Sequence, residues 1–245
     1  MNILSHIINC KNQQHPLLAI LIDPNKPKAY EQLLPHLQHV DLIFVGGSTG
    51  DSIEPCIDTL RQHTSVPLIL FPGNIAQFSP NADALLFLSL LNANSADMLI
   101  TPHIKIAQQV IQSGIESIPM GYILVDGERK SSVEIVSNCA PIPQNEIEKI
   151  TSIALAGQLL GKQLIYLEAG SGANKSVSTD IIRTVHTQLQ IPLIVGGGIR
   201  TPQAMIRVLD AGADIVVIGN HFEQHPEELP TFIHTLSEYE PKSSR

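Results

Sequence analysis

The stretch IYLEAGSGA, residues 165–173, ends an apolar run on a carboxylate, Glu168, and opens at once into Gly170, Ser171 and Gly172. A strand end needs no acid, and a turn rarely needs two glycines so close together. No Lys or Arg adjoins Glu168 in sequence, so its carboxylate is available as a general base toward a substrate hydroxyl. Tyr166 lies two residues earlier on the same run and therefore shares its face. The glycines allow a backbone to come close to an anion, a phosphate above all. A buried ion pair from Glu168 to Arg200 or Lys26 is the competing use of that acid.

Two further glycine motifs fit an anion. VGGGIRTPQA (195–204) places Gly197 and Gly198 between an apolar run and a helix start with Pro202 in its first turn. VIGNHF (217–222) ends another apolar run on Gly219 and Asn220. Loops after the seventh and eighth strands of a β/α barrel commonly form a phosphate cup from backbone N–H groups and a short helix, for which HFEQHPEEL is the candidate. Tight turns without a ligand would use the same glycines.

At the ends of the first two apolar runs, LIDPNK carries Asp23 and VGGSTG carries Ser48. A carboxylate and a hydroxyl, completed by phosphate and water oxygens, suit Mg²⁺. Asp23 also suits an Asx turn before Pro24, and Ser48 a helix N-cap near Asp51. The ten histidines show no HxH or HExxH spacing, which argues against a zinc site. His103 and His221 fall near strand ends and read as solvated loop residues. Tyr122 reads as core or pocket lining, and ERK (128–130) as a solvated loop.

These residues need a scaffold that brings strand ends together. Apolar runs at 16–23, 40–47, 66–71, 82–90, 116–127, 163–170, 191–197 and 213–220 read as eight strands. Amphipathic stretches at 28–37, 51–63, 101–114, 145–161, 177–189, 201–212 and 226–240 read as helices. The strands lack polar alternation, as expected when both faces are buried in a parallel sheet. Eight such units in 245 residues imply an α/β fold, a TIM (β/α)8 barrel forming one domain over 1–245. A doubly wound sheet is the competitor, but the first strand is followed by DPNK rather than a glycine-rich turn. Only PGNIAQFSPN (72–81) links the third and fourth strands, too short for a regular crossover helix. The missing helix would leave an apolar groove on the barrel's flank, a candidate berth for a long greasy ligand.

Composition limits the partners. Net charge is -8 and 43% of residues are hydrophobic, so the composition is globular and argues against a nucleic-acid binder, which would normally carry a basic face. Three widely spaced cysteines indicate neither a disulfide framework nor a zinc site, and the expectation is a cytoplasmic protein. No apolar run is long enough to span a membrane.

Taken in order, LIDPNK, VGGSTG, FPGN, IPMGYILVDG, YLEAGSGA, VGGGIR and VIGN resemble the geranylgeranylglyceryl phosphate synthase family along nearly the whole chain. YLEAGSGA with DLIFVGGS carries the specificity, while VGGGIR is shared by many phosphate-binding barrels. The resemblance implies a barrel lacking the helix after strand three. It also implies ether formation between geranylgeranyl diphosphate and sn-glycerol 1-phosphate with release of pyrophosphate. Asp23 and Ser48 match the family's Mg²⁺ positions. Tyr166, Leu167, Glu168, Ala169, Gly170, Ser171 and Gly172 match its glycerol-phosphate segment, with Glu168 as base. Gly197, Gly198, Gly219 and Asn220 match its phosphate cup. The insert at 126–146 resembles the longer, archaeal-type branch rather than the shorter, heptaprenyl-using one. A homodimer or homohexamer and a transient membrane contact for the lipid product are also implied.

Two other functions fit parts of the pattern. Another phosphate-binding barrel isomerase or synthase would usually need a second acid or a strand-interior lysine, and no such lysine occurs. A non-catalytic sensor of a phosphorylated metabolite would have no use for Asp23 and Glu168 together.

Overall fold

A computed structural model of the protein describes residues 2–47, 52–74 and 76–241. The eight expected strands are present: β1 Leu17–Ile22, β2 Leu42–Val45, β3 Leu68–Leu70, β4 Ala84–Leu90, β5 Glu116–Leu124, β6 Leu164–Glu168, β7 Leu193–Gly196 and β8 Ile215–Ile218. All pair in parallel with their sequence neighbours, and β8 pairs with β1 to close the barrel. This is a TIM barrel.

Alternation along each strand divides the core into two layers. Leu17, Ala19, Phe44, Ile69, Leu86, Met120, Tyr166, Ile194 and Val217 fill the barrel interior. Leu18, Ile20, Ile43, Leu70, Leu167, Val195 and Val216 face outward against the helices. Both faces of every strand are therefore apolar, which is why the sequence shows unbroken runs.

The first helix, α1 (Ile3–Asn12), is absent from the sequence reading. Its Ile3, Ile7 and Cys10 join the interior layer and stop the barrel's N-terminal end. Glu116, at the start of β5, accepts the N–H groups of Ile3 and Leu4 at 2.6 and 2.8 Å, placing a carboxylate on the positive end of the helix. Lys11 pairs with Asp214 at 2.9 Å.

The helix expected over 28–37 is broken. A single turn, α2 (Pro27–Tyr30), is followed by a 3₁₀ segment, Leu34–His39. Pro35 lacks an N–H and cannot continue the first turn. The later crossovers are α3 (Glu54–His63), α4 (Ala96–Leu99), α5 (Thr101–Ser113), α6 (Ser132–Ser137), α7 (Ile147–Leu159), α8 (Thr179–His186) and α9 (Pro202–Asp210). After β8 come α10 (Asn220–Gln224), a 3₁₀ turn at Pro226–Glu228, and α11 (Leu229–Ser237).

No helix lies between β3 and β4 among the described residues. The two strands pair only at Ile69 with Ala84 and at Leu70 with Leu85, whereas β4 pairs with β5 along its full length. Beyond Leu85 the barrel wall is open on that side. The connection is tied down by polar bonds instead: Ser79 donates to Glu54 at 2.9 Å, and Asp83 accepts the Leu68 N–H at 2.7 Å.

Candidate active site

The strands' C-terminal ends surround a cavity of about 890 Å³. Glu168, the last residue of β6, is buried at its base. Its Oε1 accepts the Gly170 N–H at 2.6 Å, and the Tyr166 hydroxyl donates to the same carboxylate. Burial raises the Glu168 pKa above the ordinary glutamate value, and the bonds from Tyr166 and Gly170 pull in the opposite direction without cancelling it. The acid is a stronger base than a solvated glutamate and has no lysine or arginine partner among the described residues. The ion pairs to Arg200 or Lys26 do not form: Arg200 donates instead to the carbonyls of Gly172 and Ala173.

Tyr166 and Tyr122 pack against each other and against Phe71, with ring centroids 5.1, 6.0 and 5.6 Å apart, and form an aromatic floor. Burial raises both phenol pKa values well above the usual tyrosine range, so both hydroxyls stay protonated, and that of Tyr166 donates to Glu168.

The glycine loops converge beside Glu168. At Gly197 (φ +84°) an added Cβ would fall 2.5 Å from Glu168 Oε1 and 2.8 Å from the Gly170 nitrogen. Only glycine allows that approach and that backbone. Ser171 donates to Asn220 at 2.9 Å, tying the loop after β6 to the start of α10. Arg129, part of the exposed ERK loop, donates to the Gly172 carbonyl at 3.2 Å. Gly170, Ser171, Gly172, Gly197, Gly198, Gly219 and Asn220 all line the cavity, as expected. Leu167 and Ala169 do not: strand alternation turns them into the outer apolar layer, so neither side chain can touch a ligand there.

Asp23 faces the cavity from the end of β1. Its Oδ1 accepts from the Asn25 backbone N–H and side-chain amide at 3.0 and 3.1 Å, so the Asx turn does form. Oδ2 looks toward Lys26 Nζ at 3.5 Å, and Lys26 reaches Glu223 Oε2 at 2.7 Å. Burial alone would lower the lysine's pKa, but the two carboxylates raise it. Ser48 lies outside the described residues.

The cavity runs from this polar end through the open wall. Leu85 and Phe87 of β4, Met98 of α4, and His103 and Ile106 of α5 line its flank, with Ile135 and Val136 of α6 at the exposed rim. The two histidines are not the solvated loop residues expected. His103 is buried edge-on to Phe87 at 4.3 Å, and burial lowers its pKa. His221 is held against Glu228 at 2.8 Å.

A profile of the PcrB family matches residues 10–236. The chain belongs to the PcrB family. Among curated members, the geranylgeranylglyceryl phosphate synthase of Zunongwangia profunda is 47% identical over 226 residues, covering 90% of this chain and 97% of the relative. That of Korarchaeum cryptofilum is 36% identical over 225 residues, covering 89% and 92%. The crystal structure of (S)-3-O-geranylgeranylglyceryl phosphate synthase from Thermoplasma acidophilum, in complex with substrate sn-glycerol-1-phosphate, is 33% identical. It superposes with a TM-score of 0.89, covering 98% of this PcrB-family chain and all of the other.

The sequence pattern therefore picked out the acid and the glycine loops that this PcrB-family protein brings to one cavity. Glu223 and the flank residues were missed. Glu223 sits one helical turn after Asn220 on a five-residue helix, and nothing in sequence ties it to Lys26 across the closure seam. The flank residues gain their meaning from the divergence of β3 and β4.

Proposed function

We propose that the protein joins a geranylgeranyl group, supplied as its diphosphate, to the primary free hydroxyl, at C3, of sn-glycerol 1-phosphate. The allylic carbon–oxygen bond to diphosphate breaks and an ether bond forms. The hydroxyl proton passes to Glu168, and pyrophosphate leaves. The observation that carries this reading is the position of Glu168. It lies between a glycine cup suited to a phosphate and a cavity that continues into an apolar flank. The family relationship and the glycerol phosphate bound by the Thermoplasma relative support it.

Each residue has a role the geometry permits. The loops at Gly170–Gly172, Gly197–Gly198 and Gly219–Asn220 offer close backbone approach to the acceptor's phosphate. Fixing the acceptor there aims its hydroxyl at one point, which removes much of the entropic cost of the encounter. Tyr166 donates to Glu168 and holds the carboxylate toward the cavity. A positioned base contributes about 10²–10⁴-fold to such a step. The flank side chains exclude water from the allylic centre and take the prenyl chain.

Asp23 fits a magnesium ion. Its outward oxygen Oδ2 already faces one cation, the Lys26 ammonium at 3.5 Å, and its other oxygen is braced by Asn25. A Cβ at Gly47 would come 2.7 Å from Oδ1, so the floor beneath the carboxylate is kept clear. Bound Mg²⁺ would neutralise charge developing on the departing diphosphate. Ser48 is the second proposed ligand.

Among the described residues no helix is long and apolar enough to cross a membrane, and all three cysteines are free. Both facts support an enzyme working in the cytoplasm. Exposed Ile104, Ile111, Leu159 and Leu160 support assembly into a homodimer or homohexamer.

The deciding experiment offers purified protein, Mg²⁺ and labelled sn-glycerol 1-phosphate to prenyl diphosphates of several lengths, and extracts the lipid. Labelled product is expected with the geranylgeranyl donor and not with sn-glycerol 3-phosphate as acceptor. No extractable label with any donor would overturn the reading.

A further inference from the structure

Lys26 stands between two carboxylates from opposite sides of the barrel's closure seam. Asp23 and Lys26 follow β1, Glu223 lies on α10 after β8, and β1 and β8 are paired neighbours. Lys26 Nζ is 2.7 Å from Glu223 Oε2 but 3.5 Å from Asp23 Oδ2. The Glu223 side chain is 13% exposed and that of Lys26 is 45% exposed. The acid is therefore the fixed partner and the ammonium the movable one.

All three residues line the cavity at its polar end. The other cationic side chains on its wall are committed or distant from this corner. Arg200 is bound to the carbonyls of Gly172 and Ala173, and Lys105 belongs to α5 on the flank. Two carboxylates and one ammonium leave the corner with one negative charge. That suits a divalent cation and repels a free diphosphate. With a divalent cation added, the corner turns positive and suits a diphosphate.

We infer that Lys26 binds the donor's diphosphate and that Glu223 is its positioning residue. Before a metal arrives, Lys26 serves as the counter-charge of Asp23. The inference rests on the reaction proposed above and assigns the polar end of the donor site within it. When the metal takes Asp23 Oδ2, the long Asp23–Lys26 contact is the one that breaks. Partly exposed ion pairs are worth little, so the exchange is cheap. Glu223 keeps the lysine's flexible stem from swinging into solvent and leaves its remaining N–H donors facing the cavity. An ammonium is a common phosphate ligand for this reason.

This makes metal and anion affinities respond to Lys26 in opposite directions, which a purely structural lysine would not produce. The test uses the full chain without substrates. Free Mn²⁺ is counted by electron paramagnetic resonance, and inorganic pyrophosphate binding is measured by calorimetry at saturating Mg²⁺. Lys26→Met should bind Mn²⁺ about fivefold or more tightly, because a competing positive charge is gone. The same variant should bind pyrophosphate about tenfold more weakly, through loss of a charged hydrogen bond. Lys26→Arg should keep pyrophosphate affinity within about threefold of the parent, since the positive charge is retained. Glu223→Gln should weaken Mn²⁺ binding, as Lys26 then falls to Asp23 alone. Thermal melts confirm that the variants are folded.

Unchanged affinities in Lys26→Met, or a shift of both in the same direction, would overturn the inference. So would a parent protein that binds neither Mn²⁺ nor pyrophosphate. Opposite shifts in a protein that makes no ether lipid would retain the anion site and sink the reaction. Normal ether synthesis with parallel shifts would sink this inference alone.

Discussion

Gly197 and Glu168 meet across the β6–β7 seam so closely that no side chain fits between them. A Cβ on Gly197 would lie 2.5 Å from the carboxylate's Oε1. The oxygen that bare Gly197 backbone crowds is the same Oε1 that accepts the Gly170 N–H, so the contact and the hydrogen bond fix one carboxylate oxygen together. Gly197→Ala must push Glu168 aside or strain a backbone at φ +84°. It is expected to lose about 2 kcal/mol of stability and to raise KM for glycerol phosphate. A thermal melt and steady-state kinetics check both. A variant with parental melting and KM would show that the loop tolerates a side chain.

Glu168→Gln keeps the volume and the acceptor for the Gly170 N–H but removes the base. Turnover is expected to fall about 10²–10⁴-fold. Glycerol phosphate binding, measured by calorimetry, is expected to stay near the parental value, because the proposed phosphate contacts come from the glycine loops and not from Glu168. Full turnover would remove Glu168 from the proton's path.

The raised pKa of Glu168 has two consequences of opposite sign. For activity, the base must be ionised, so kcat/KM should fall with decreasing pH earlier than an ordinary glutamate would allow. For stability, a carboxyl with its folded pKa above its unfolded pKa binds more protons when folded. Its contribution to stability is present at low pH and is lost as pH rises through that window. Glu168→Gln escapes the loss. Its melting temperature relative to the parent should rise between acidic and neutral pH. A relative melting temperature that falls over the same range would show that hydrogen bonds, not burial, dominate at this carboxylate.

The flank predicts donor length. Met98 lines the open wall beyond the last β3–β4 pair. Met98→Trp narrows the route without touching Glu168 or the cup. Use of the geranylgeranyl donor should drop about tenfold or more against shorter donors, read from product chain lengths in a mixed-donor assay. An unchanged length distribution would place the chain elsewhere.

Much of this was visible in the chain itself, for reasons that can be stated. All eight strands announce themselves because each is buried on both faces, which removes polar alternation. Glu168 and the glycines were visible because an acid and paired glycines at strand ends serve no strand. Helix α1 was hidden because its carboxylate partner, Glu116, is 112 residues from Leu4. Helix α6 did carry a local mark: Ser131 caps the Glu134 N–H at 3.1 Å within an S-x-x-E pattern, a helix-start signal in the sequence. The outward turn of the Leu167 and Ala169 side chains was legible from strand alternation alone, since Tyr166 and Glu168 already claim the inner face. The burial of His103 could not, because it depends on Phe87 of a neighbouring element.

Asp23 tests the metal. Its Oδ1 is satisfied by Asn25 whether or not an ion is present, so Asp23→Asn need not unfold the turn. It does remove the negative charge that an ion at Oδ2 requires, and it frees Lys26 from its long contact there. The expected result is a folded protein whose prenyl transfer is reduced at every Mg²⁺ concentration and saturates only at much higher Mg²⁺. Titrating Mg²⁺ against initial rate reads this directly. The geometry also separates two causes of lost activity. If only the turn were damaged, the rate would fall without a change in the Mg²⁺ midpoint, and thermal stability would fall with it. A shifted midpoint in a protein that melts normally assigns the effect to the ion. A parental midpoint would place the ion on other oxygens of the rim and leave Asp23 as a turn residue.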